Sequence, residues 1–432
     1  MAQTAAVIGL SATGPQDQYI FDEKKNPLRP SIRQYTHFTK FHRTTYPQVS
    51  QFVGQTVEFL FKPKELGDLW HNAYLALTLP QLPQVSGQSY GWSPQIGRAI
   101  IEHIEFRIGN QVIEKIDDYW YTVRDQLFLD ADSKLALYQV TNGGQNETVS
   151  CPSSQPVDLM IPLELFFCRR HTFTDARRDL LERPPLPVCA LKEFISIKFF
   201  FRPQNWFTNY PQPIEFTNVR LVTEEILLTD EERLYYQGTP FRSVINVSKN
   251  DAVTNYQNGK PTHYFTADFP VTMMVWFVRD ANYESVSTNA YYASRYAYGY
   301  TTDYITITTP VTFFDGTTNK CIDVLESTDI FINGRNLMGP FATGVFYQYK
   351  QPMDNGLSIP SKSMYTYCWG KSPKEYNQGG YLNFENIDSK TSKIVLSFYQ
   401  QYSPNIQANY KINLFYYGYR VLSIANGRAT LI

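Results

Sequence analysis

The side chains best suited to metal, acid–base or nucleophilic chemistry are scattered along this 432-residue chain. Metal-dependent enzymes and zinc sites hold histidine and cysteine at short, regular spacings such as HExxH or Cys-x-x-Cys. None of these spacings occurs, and we interpret the histidines as ordinary surface or packed residues. They are His37, His42, His71, His103, His171 and His263. The sequence therefore predicts no catalytic residue, no metal site and no cofactor.

Two further motifs resemble chemical sites but lack the surroundings that such sites need. Gly370-Lys371-Ser372 looks like the end of a phosphate-binding loop, but that loop requires a glycine where Tyr365 stands. The adjacent acids Asp117-Asp118 and Glu224-Glu225 would point to opposite faces of a strand, so they would not pair for proton transfer. We expect these acids to be helix caps or residues on solvated faces.

Two Asn-x-Ser/Thr triplets, at Asn146 and Asn246, are candidate N-glycosylation sites. The alternative is no modification, because such triplets arise by chance and a cytosolic protein does not meet the secretory machinery. Asn146 is the better candidate, since it follows Gly143-Gly144 in a polar stretch.

A cluster of tyrosines is a candidate interface, because tyrosine offers a large contact area at low entropic cost. A loop that packs against its own tyrosines is the alternative. The cluster consists of Tyr291, Tyr292, Tyr296, Tyr298 and Tyr300.

The charge balance and the cysteines limit the class of protein. Lys and Arg number 39 against 40 Asp and Glu, so we predict no direct nucleic-acid partner, which would require a basic face. The five cysteines are odd in number and irregularly spaced, which favours free thiols and a reducing compartment. The sequence shows neither a secretory signal nor an apolar run long enough for a membrane helix. We therefore expect folding in the cytosol.

Short stretches with a two-residue apolar period predict β structure. Residues 104–108 alternate apolar and polar side chains before a Gly109-Asn110 turn, and residues 195–201 place apolar side chains on one face. Aromatic residues, 16% of the chain, suit pleated and half-buried surfaces. Many short strands with few helices predict an all-β protein made of two eight-stranded antiparallel sandwiches.

We divide the chain into an N-terminal arm (residues 1–35), a first sandwich (36–228), a linker with a short helix (229–240) and a second sandwich (241–432). A capping-box pattern that begins at Thr229 predicts the linker helix. Asp117 or Asp118 is expected to cap another short helix, and residues 130–155 are expected to form a long polar loop.

The two halves of the chain repeat two features in the same order. Residues 104–110 and 327–334 each contain a strand that ends in a Gly/Asn hairpin turn, and residues 194–201 parallel residues 394–399. Each half also ends in a long strand. Repetition in this order indicates a duplicated domain.

Ordered segments in both halves resemble the major capsid proteins of nucleocytoplasmic large DNA viruses. Pro162-Leu-Glu-Leu-Phe-Phe-Cys-Arg169, followed by Pro185-Leu-Pro-Val-Cys-Ala-Leu191, is similar to a segment between two strands of that family's first roll. Phe269-Pro-Val-Thr-Met-Met-Val-Trp-Phe277 resembles the opening strand of its second roll. Residues 372–388 resemble its Pro-Glu turn with an Asn-Phe-Ser-x-Ile-Asp element, and the tail 416–427 resembles its closing strand. The charged stretch 170–184 departs from the family, which is short and apolar there.

This resemblance implies two tandem jelly rolls, that is, a double jelly roll with short helices in its loops. It also implies a structural protein that forms homotrimers with a pseudo-hexagonal outline, the capsomers that tile the icosahedral shell of a large double-stranded DNA virus. The implied partners are neighbouring capsomers, minor capsid and penton proteins, and a lipid membrane beneath the shell, which the arm would meet. The implied location is the virion capsid, after synthesis and assembly in the host cytoplasm.

Two other functions remain open at this point. A carbohydrate-binding β-sandwich could stack sugars on aromatic loops, although the six tryptophans are scattered along the chain. A viral penton or spike protein of related fold is the other alternative.

Overall fold

The computed structural model describes residues 7, 14–15, 36–83, 90–145, 151–168, 183–253, 255–257, 260–280, 325–339, 342–360, 363–375, 379–399 and 410–432. The chain divides into two units, residues 1–37 and 38–432, and all sheets belong to the second unit. No helix among the described residues is both long and apolar enough to cross a membrane.

The first half of the second unit forms two antiparallel sheets, ordered β1-β9-β3-β6 and β2-β8-β4-β5, with the short β7 beside β3. The strands are β1 Thr39–Thr45, β2 Thr56–Phe61, β3 Leu69–Leu79, β4 Ile101–Ile108, β5 Gln111–Asp117, β6 Val157–Pro162, β7 Leu186–Pro187, β8 Ile195–Phe201 and β9 Thr217–Leu227.

The second half repeats this arrangement with sheets ordered β10-β19-β13-β16 and β11-β12-β18-β14-β15, while β17 and β20 pair with β13 and β19. The strands are β10 Phe241–Val253, β11 Asn255–Gln257, β12 Lys260–Tyr264, β13 Pro270–Asp280, β14 Leu325–Ile332, β15 Arg335–Asn336, β16 Met364–Cys368, β17 Leu382–Asn383, β18 Lys393–Phe398, β19 Tyr410–Ala425 and β20 Arg428–Leu431.

Helices are short and lie in the connections between strands. The α-helices are α1 Ile96–Ala99, α2 Asp118–Phe128, α3 Ala131–Thr141, α4 Asp230–Gly238 and α5 Gln351–Asp354. A π-helical turn, Phe346–Lys350, precedes α5, and 3-10 turns occupy Pro63–Glu65, Val188–Ala190, Gln204–Trp206 and Phe384–Asn386.

Both halves have the same topology. When the eight principal strands of each half are numbered in chain order, one sheet runs 1-8-3-6 and the other runs 2-7-4-5. This order is that of a jelly roll, in which paired Greek keys wrap two sheets around one core. The predicted all-β double jelly roll is therefore confirmed, and the two repeats found in the sequence occupy equivalent strands: the hairpins β4–β5 and β14–β15, and the strands β8 and β18.

The two-residue period explains the core of each roll. Inward side chains of the first roll bring Trp70 on β3 within 5.2 Å of Phe61 on β2 and 6.0 Å of Phe106 on β4, measured between ring centroids. In the second roll, Trp276 lies 4.9 Å from Tyr347 and 6.1 Å from Tyr365. The rings of the first roll join its two facing sheets, whereas Trp276 packs on the neighbouring strand β16 and on the π-helical turn. Edge-on ring contacts add to the burial of apolar area.

Two local predictions are wrong. Part of the expected loop 130–155 is helix α3, whose first turn is capped because the Asp130 side chain accepts the Ser133 N–H at 2.8 Å. The segment 269–277 does not open the second roll. It lies in and just before β13, the third principal strand, and the opening strand is β10, which pairs with β19 along its whole length.

Leu75 and Leu60 provide a matched test of the first roll's core. Leu75 on β3 is fully buried, whereas Leu60 on β2 is 59% exposed. We expect Leu75→Ala to lower the free energy of unfolding by about 2–5 kcal/mol, since it removes buried methyl groups and leaves a cavity. Leu60→Ala should change it by about 0.5 kcal/mol or less. Urea unfolding followed by circular dichroism measures both, and equal losses would contradict the assigned core.

Candidate functional site: the junction between the two rolls

Helix α2 is the first roll's contribution to the junction, and the preceding strand β5 determines where it begins. Its first residue directly follows β5, and the carboxylate of Asp117 accepts the Trp120 N–H at 2.7 Å. This cap satisfies one of the unpaired N–H groups of the first turn. The predicted cap and helix are both confirmed, and they aim Trp120 at the second roll.

An aromatic cluster carries the apolar part of the junction. The Trp120 ring stacks on Tyr417 with centroids 5.0 Å apart and lies 5.7 Å from Phe415, both on β19. Phe128, at the end of α2, reaches the other side of Tyr417 at 5.4 Å. All four side chains are at most 5% exposed. The helix of one roll therefore covers the outer sheet face of the other.

A chain of amide and carboxylate groups crosses the same junction. The Asn250 amide of β10 donates to the Asp117 carboxylate at 3.1 Å, and the Asn413 amide of β19 donates to the Asn250 side-chain oxygen at 3.3 Å. Burial raises the pKa of Asp117, although the hydrogen bonds from Trp120 and Asn250 oppose that rise. One carboxylate thus caps the helix and also binds the second roll.

Glu114 and Arg183 form a second polar bridge. The Glu114 carboxylate accepts the Phe166 N–H at 2.8 Å, and the Arg183 guanidinium donates to the Phe166 carbonyl at 3.2 Å and to the Tyr417 hydroxyl at 3.3 Å. Burial raises the pKa of Glu114 to about 7, against the opposing effect of Arg183. Arg183 ties the first roll to the same tyrosine that stacks on Trp120.

Three buried ion pairs support helix α2 from its own roll. They are Arg98–Asp125 at 3.1 Å, Arg124–Glu164 at 2.5 Å and Arg202–Asp118 at 3.1 Å. All six side chains are almost completely buried. Removing one partner of such a pair strands a charge in the interior, so these pairs restrict where the helix can sit.

The expectation that the paired acids are helix caps or lie on solvated faces is confirmed for Asp117, which caps α2, and is wrong for Asp118 and Glu225. Asp118 is buried and forms an ion pair with Arg202. Glu225 is fully buried, and its carboxylate accepts hydrogen bonds from the Arg43 side chain at 3.0 Å and from the Gly67 N–H at 2.6 Å. Glu224 points to the other face, where hydrogen bonds from His71, Asn72 and Lys40 hold its pKa well below the ordinary value. Glu224 and Glu225 therefore point to opposite faces of β9, as predicted.

A cleft of about 540 Å³ opens beside the junction. Its lining mixes both charge signs, and Asp117 and Asp118 in its wall are held by the contacts described above. His103 stacks on Phe200 with ring centroids 3.9 Å apart, and burial lowers its pKa. These groups serve the packing of the two rolls, and we assign them no chemical reaction.

The described part of the chain has no group of three or more His, Cys, Asp or Glu residues that could hold a metal ion. Cys151, Cys168, Cys189 and Cys368 are free thiols. Burial raises the pKa of Cys151 to about 12 and that of Cys189 to about 11, and it also raises the pKa of Cys168 and Cys368. Because the thiolate is the reactive form, these cysteines are poor nucleophiles.

The Gly370-Lys371-Ser372 motif does not continue into a helix, as a phosphate-binding loop would. After Gly370 the chain makes a short bridge from Lys371 to Gly379. The sequence also contains Gly87-Gln88-Ser89-Tyr90-Gly91, which has the Gly-x-Ser-x-Gly spacing of a nucleophile elbow. Its first three residues lie outside the described part, and Gly91 leads into a bridge between Trp92 and Thr208 instead of a helix.

The remaining candidate residues lie apart from the junction or outside the described residues. Asn246 lies on β10 and is only 5% exposed, so a glycan on the folded chain would have little room. Asn146 and the tyrosine cluster at residues 291–300 are outside the described part of the chain. They stay predictions.

Trp120→Ala should uncouple the two rolls. We expect a loss of about 3–5 kcal/mol in the free energy of unfolding, as for other buried tryptophans, and a split of the unfolding transition into two steps. Trp70→Ala, in the core of the first roll, should destabilise the protein without creating that split at the junction. Calorimetry distinguishes the two variants, and a single sharp transition for Trp120→Ala would contradict this role of the junction.

Glu114 should make stability depend on pH in one window. Its pKa is raised from 4.5 to about 7 on folding, so the protein loses stability as pH rises between these values, because the carboxyl ionises in the unfolded chain while the buried carboxyl keeps its proton. Glu114→Gln should match the native protein near pH 4.5 and be more stable above pH 7. Melting temperatures measured across this window test it. Glu231→Gln, at an exposed position of α4, is the control, and parallel curves for Glu114→Gln and the native protein would contradict the prediction.

Comparison with known proteins matches both halves of the chain. A family model described as the major capsid protein N-terminus matches residues 29–222, and one described as the large eukaryotic DNA virus major capsid protein matches residues 239–430. The major capsid protein of Paramecium bursaria Chlorella virus 1 is 23% identical over 88% of this chain and 85% of its own length. The major capsid protein of Phaeocystis pouchetii virus is 19% identical over 90% of this chain and 94% of its own length.

Solved structures show the same fold. The crystal structure of VP54 from PBCV-1 has a TM-score of 0.72 at 18% identity and covers 94% of this chain and 98% of its own. The major capsid protein of Faustovirus has a TM-score of 0.68 at 11% identity, with 93% of each chain covered. With matching models over both rolls, the chain belongs to the family of major capsid proteins of large eukaryotic DNA viruses.

Proposed function

We propose that three copies of this chain assemble into a capsomer with a pseudo-hexagonal outline, and that such capsomers tile the icosahedral shell of a large double-stranded DNA virus. Two rolls in each of three subunits supply six similar lobes. A closed ring of three chains can then present six nearly equivalent edges to its neighbours.

The observation that carries this proposal is the identical strand order of the two rolls, joined by a buried junction. Identical topology supplies similar lobes, and the covered aromatic face supports a fixed angle between them. A flexible linker alone would let the lobes rotate and would not give a regular outline.

Several features support a structural and non-enzymatic role. The titratable groups of the junction are engaged in ion pairs, caps and packing. The carbohydrate-binding alternative requires accessible aromatic platforms, but Trp70, Trp92, Trp120 and Trp276 are buried, and Trp206 and Trp369 are half-buried. The presence of two rolls also favours a shell subunit over a penton or spike protein, which often carries one.

The proposed partners follow from this role. Capsomers would contact neighbouring capsomers, penton proteins and minor capsid proteins, with no direct nucleic-acid contact. The arm at residues 1–35 would reach the minor proteins or a lipid membrane beneath the shell. We further propose synthesis and assembly in the host cytoplasm.

The oligomeric state tests this function. We expect the purified chain to elute as a stable particle of about 150 kDa, three times the 50.0 kDa of one chain, in size-exclusion chromatography with light scattering. A permanent interface should bury about 2,000 Å² or more, so the trimer should persist on dilution. Electron micrographs should show hexagonal outlines. A monomer at every concentration would overturn the proposal.

A further inference from the structure

Along its described length, helix α4 lies on the surface and contains no buried residue. Leu234 and Tyr235 on this helix are 66% and 65% exposed, and Leu227, shortly before the helix, is 41% exposed. Large apolar side chains that are exposed singly are ordinary on a protein surface, but a group of them marks a binding surface. The fold of the two rolls does not account for this group.

The inner side of α4 is held by both rolls. The Arg233 guanidinium binds the Asp68 carboxylate of the first roll through Nε at 2.6 Å and through Nη2 at 3.0 Å. The Tyr236 ring lies 6.3 Å from the Phe241 ring of the second roll, measured between centroids. An isolated helix of this length is only marginally stable in water, so these contacts keep it formed. Leu234 lies on the other side of the helix, which faces solvent.

A cleft of about 340 Å³ opens beside α4. Its volume is at the lower end of the range for ligand pockets, about 300–1,000 Å³, and suits apolar side chains of a partner. Gln237 of α4 lines the cleft, and Leu234, three residues earlier, is its neighbour on the helix surface. The apolar lining comes from three segments of the first roll and consists of Leu66, Val188, Leu191 and Leu227. We call Leu227, Leu234, Tyr235 and the adjoining cleft the α4 surface.

Acidic side chains border the apolar ones. Asp230, Glu231 and Glu232 lie in the first turn of α4. The helix has a single basic residue, Arg233, and the Asp68 and Asp230 carboxylates bind it. Acids in a first turn also favour helix formation through the helix dipole, so they mark no site by themselves. Beside exposed apolar side chains and a cleft, they favour a partner that carries positive charge next to apolar groups.

A basic amphipathic peptide segment fits this combination best. In such a helix the apolar residues lie along one face and Lys or Arg lie beside them, so both kinds of contact form at once. Anionic lipid surfaces and nucleic acids are attracted to basic patches, and the carboxylates of α4 would repel them.

We infer that the α4 surface binds a basic amphipathic segment of a different protein. Apolar side chains of that segment lie on Leu234 and Tyr235 and enter the cleft, while its Lys and Arg side chains face Glu231 and Glu232. Every residue of the surface comes from one chain, so the inference goes beyond the proposed trimer and does not depend on it.

A defined peptide tests the surface in the full-length protein. The probe is a fluorescein-labelled helical peptide of leucine and lysine, with the leucines on one face, and fluorescence anisotropy measures its binding. We expect the variants Leu234→Ala/Tyr235→Ala and Glu231→Lys each to weaken binding by about tenfold or more. The substituted side chains are exposed, so the melting temperature should stay that of the native protein.

Helix α3 offers a matched control. Its exposed Asp132 and Leu135 have the same spacing as Glu231 and Leu234, and neither lines the cleft beside α4. The variants Asp132→Lys and Leu135→Ala should therefore bind the probe as the native protein does. Equal losses from the two helices would mean unspecific attraction to any acidic and apolar helix and would overturn the inference. Full binding by the α4 variants would do the same.

Cys189 lines the cleft and reports on its occupation. We expect the bound probe to slow the alkylation of Cys189 by N-ethylmaleimide several-fold and to leave the rate at Cys368 unchanged. Peptide mapping by mass spectrometry measures the two rates separately. An unchanged rate at Cys189 in the presence of saturating probe would contradict entry into the cleft.

Carbodiimide cross-linking of purified virus particles identifies the natural occupant. This reagent joins carboxylates to amines in direct contact, and the Lys40–Glu224 pair at 3.1 Å is the internal control. We expect Glu231 or Glu232 to be joined to a lysine of a different protein, within a basic amphipathic segment. A link to another copy of this chain or to residues 1–35, or no link where the control pair has reacted, would overturn the inference. Each of these results would leave the proposed trimer standing.

Discussion

The structure depends on covering the outer sheet face of the second roll. That face presents Val275, Phe277, Phe415 and Tyr417, and these side chains are at most 3% exposed. An uncovered aromatic face of this kind would be costly in water and prone to association. Helix α2 removes it from solvent, so two rolls that could each fold around a separate core share one continuous apolar interior.

Covering this face requires the helix to stay in one place, and buried charge supplies that restriction. The pairs Arg98–Asp125, Arg124–Glu164 and Arg202–Asp118 lie behind α2, and each has a geometry that a shifted helix would break. Such pairs add little net stability compared with apolar packing, but breaking one strongly lowers the free energy of unfolding because it leaves an uncompensated buried charge. We therefore assign them a positioning role: they make the angle between the rolls specific, while the aromatic cluster makes the contact stable.

Local sequence signals were sufficient to predict strands such as β4 and β8 and, through a capping box, the linker helix α4, but not the elements that depend on distant partners. Apolar and polar side chains alternate in strand β8, and strand β16 is densely apolar. Strand β10 carries Ser243, Ser248 and Asn250 and becomes a strand because β19 pairs with it, more than 150 residues later. Helix α3 did have a local signal, because Asp130 can cap a helix that contains Ala, Lys and Leu. The flanking polar residues obscured this signal and made the segment resemble a loop. The junction had no local signal, since no residue near Trp120 in the sequence indicates that the Trp120 ring stacks on Tyr417.

The two rolls share a strand order but differ in the connection between their fifth and sixth principal strands. The first roll places two helices there, α2 and α3, and the second places one helical segment, residues 344–354, that leaves an apolar face open. Helix α2 therefore forms the junction within the chain, whereas the equivalent connection of the second roll leaves Val345, Tyr349 and Met353 exposed.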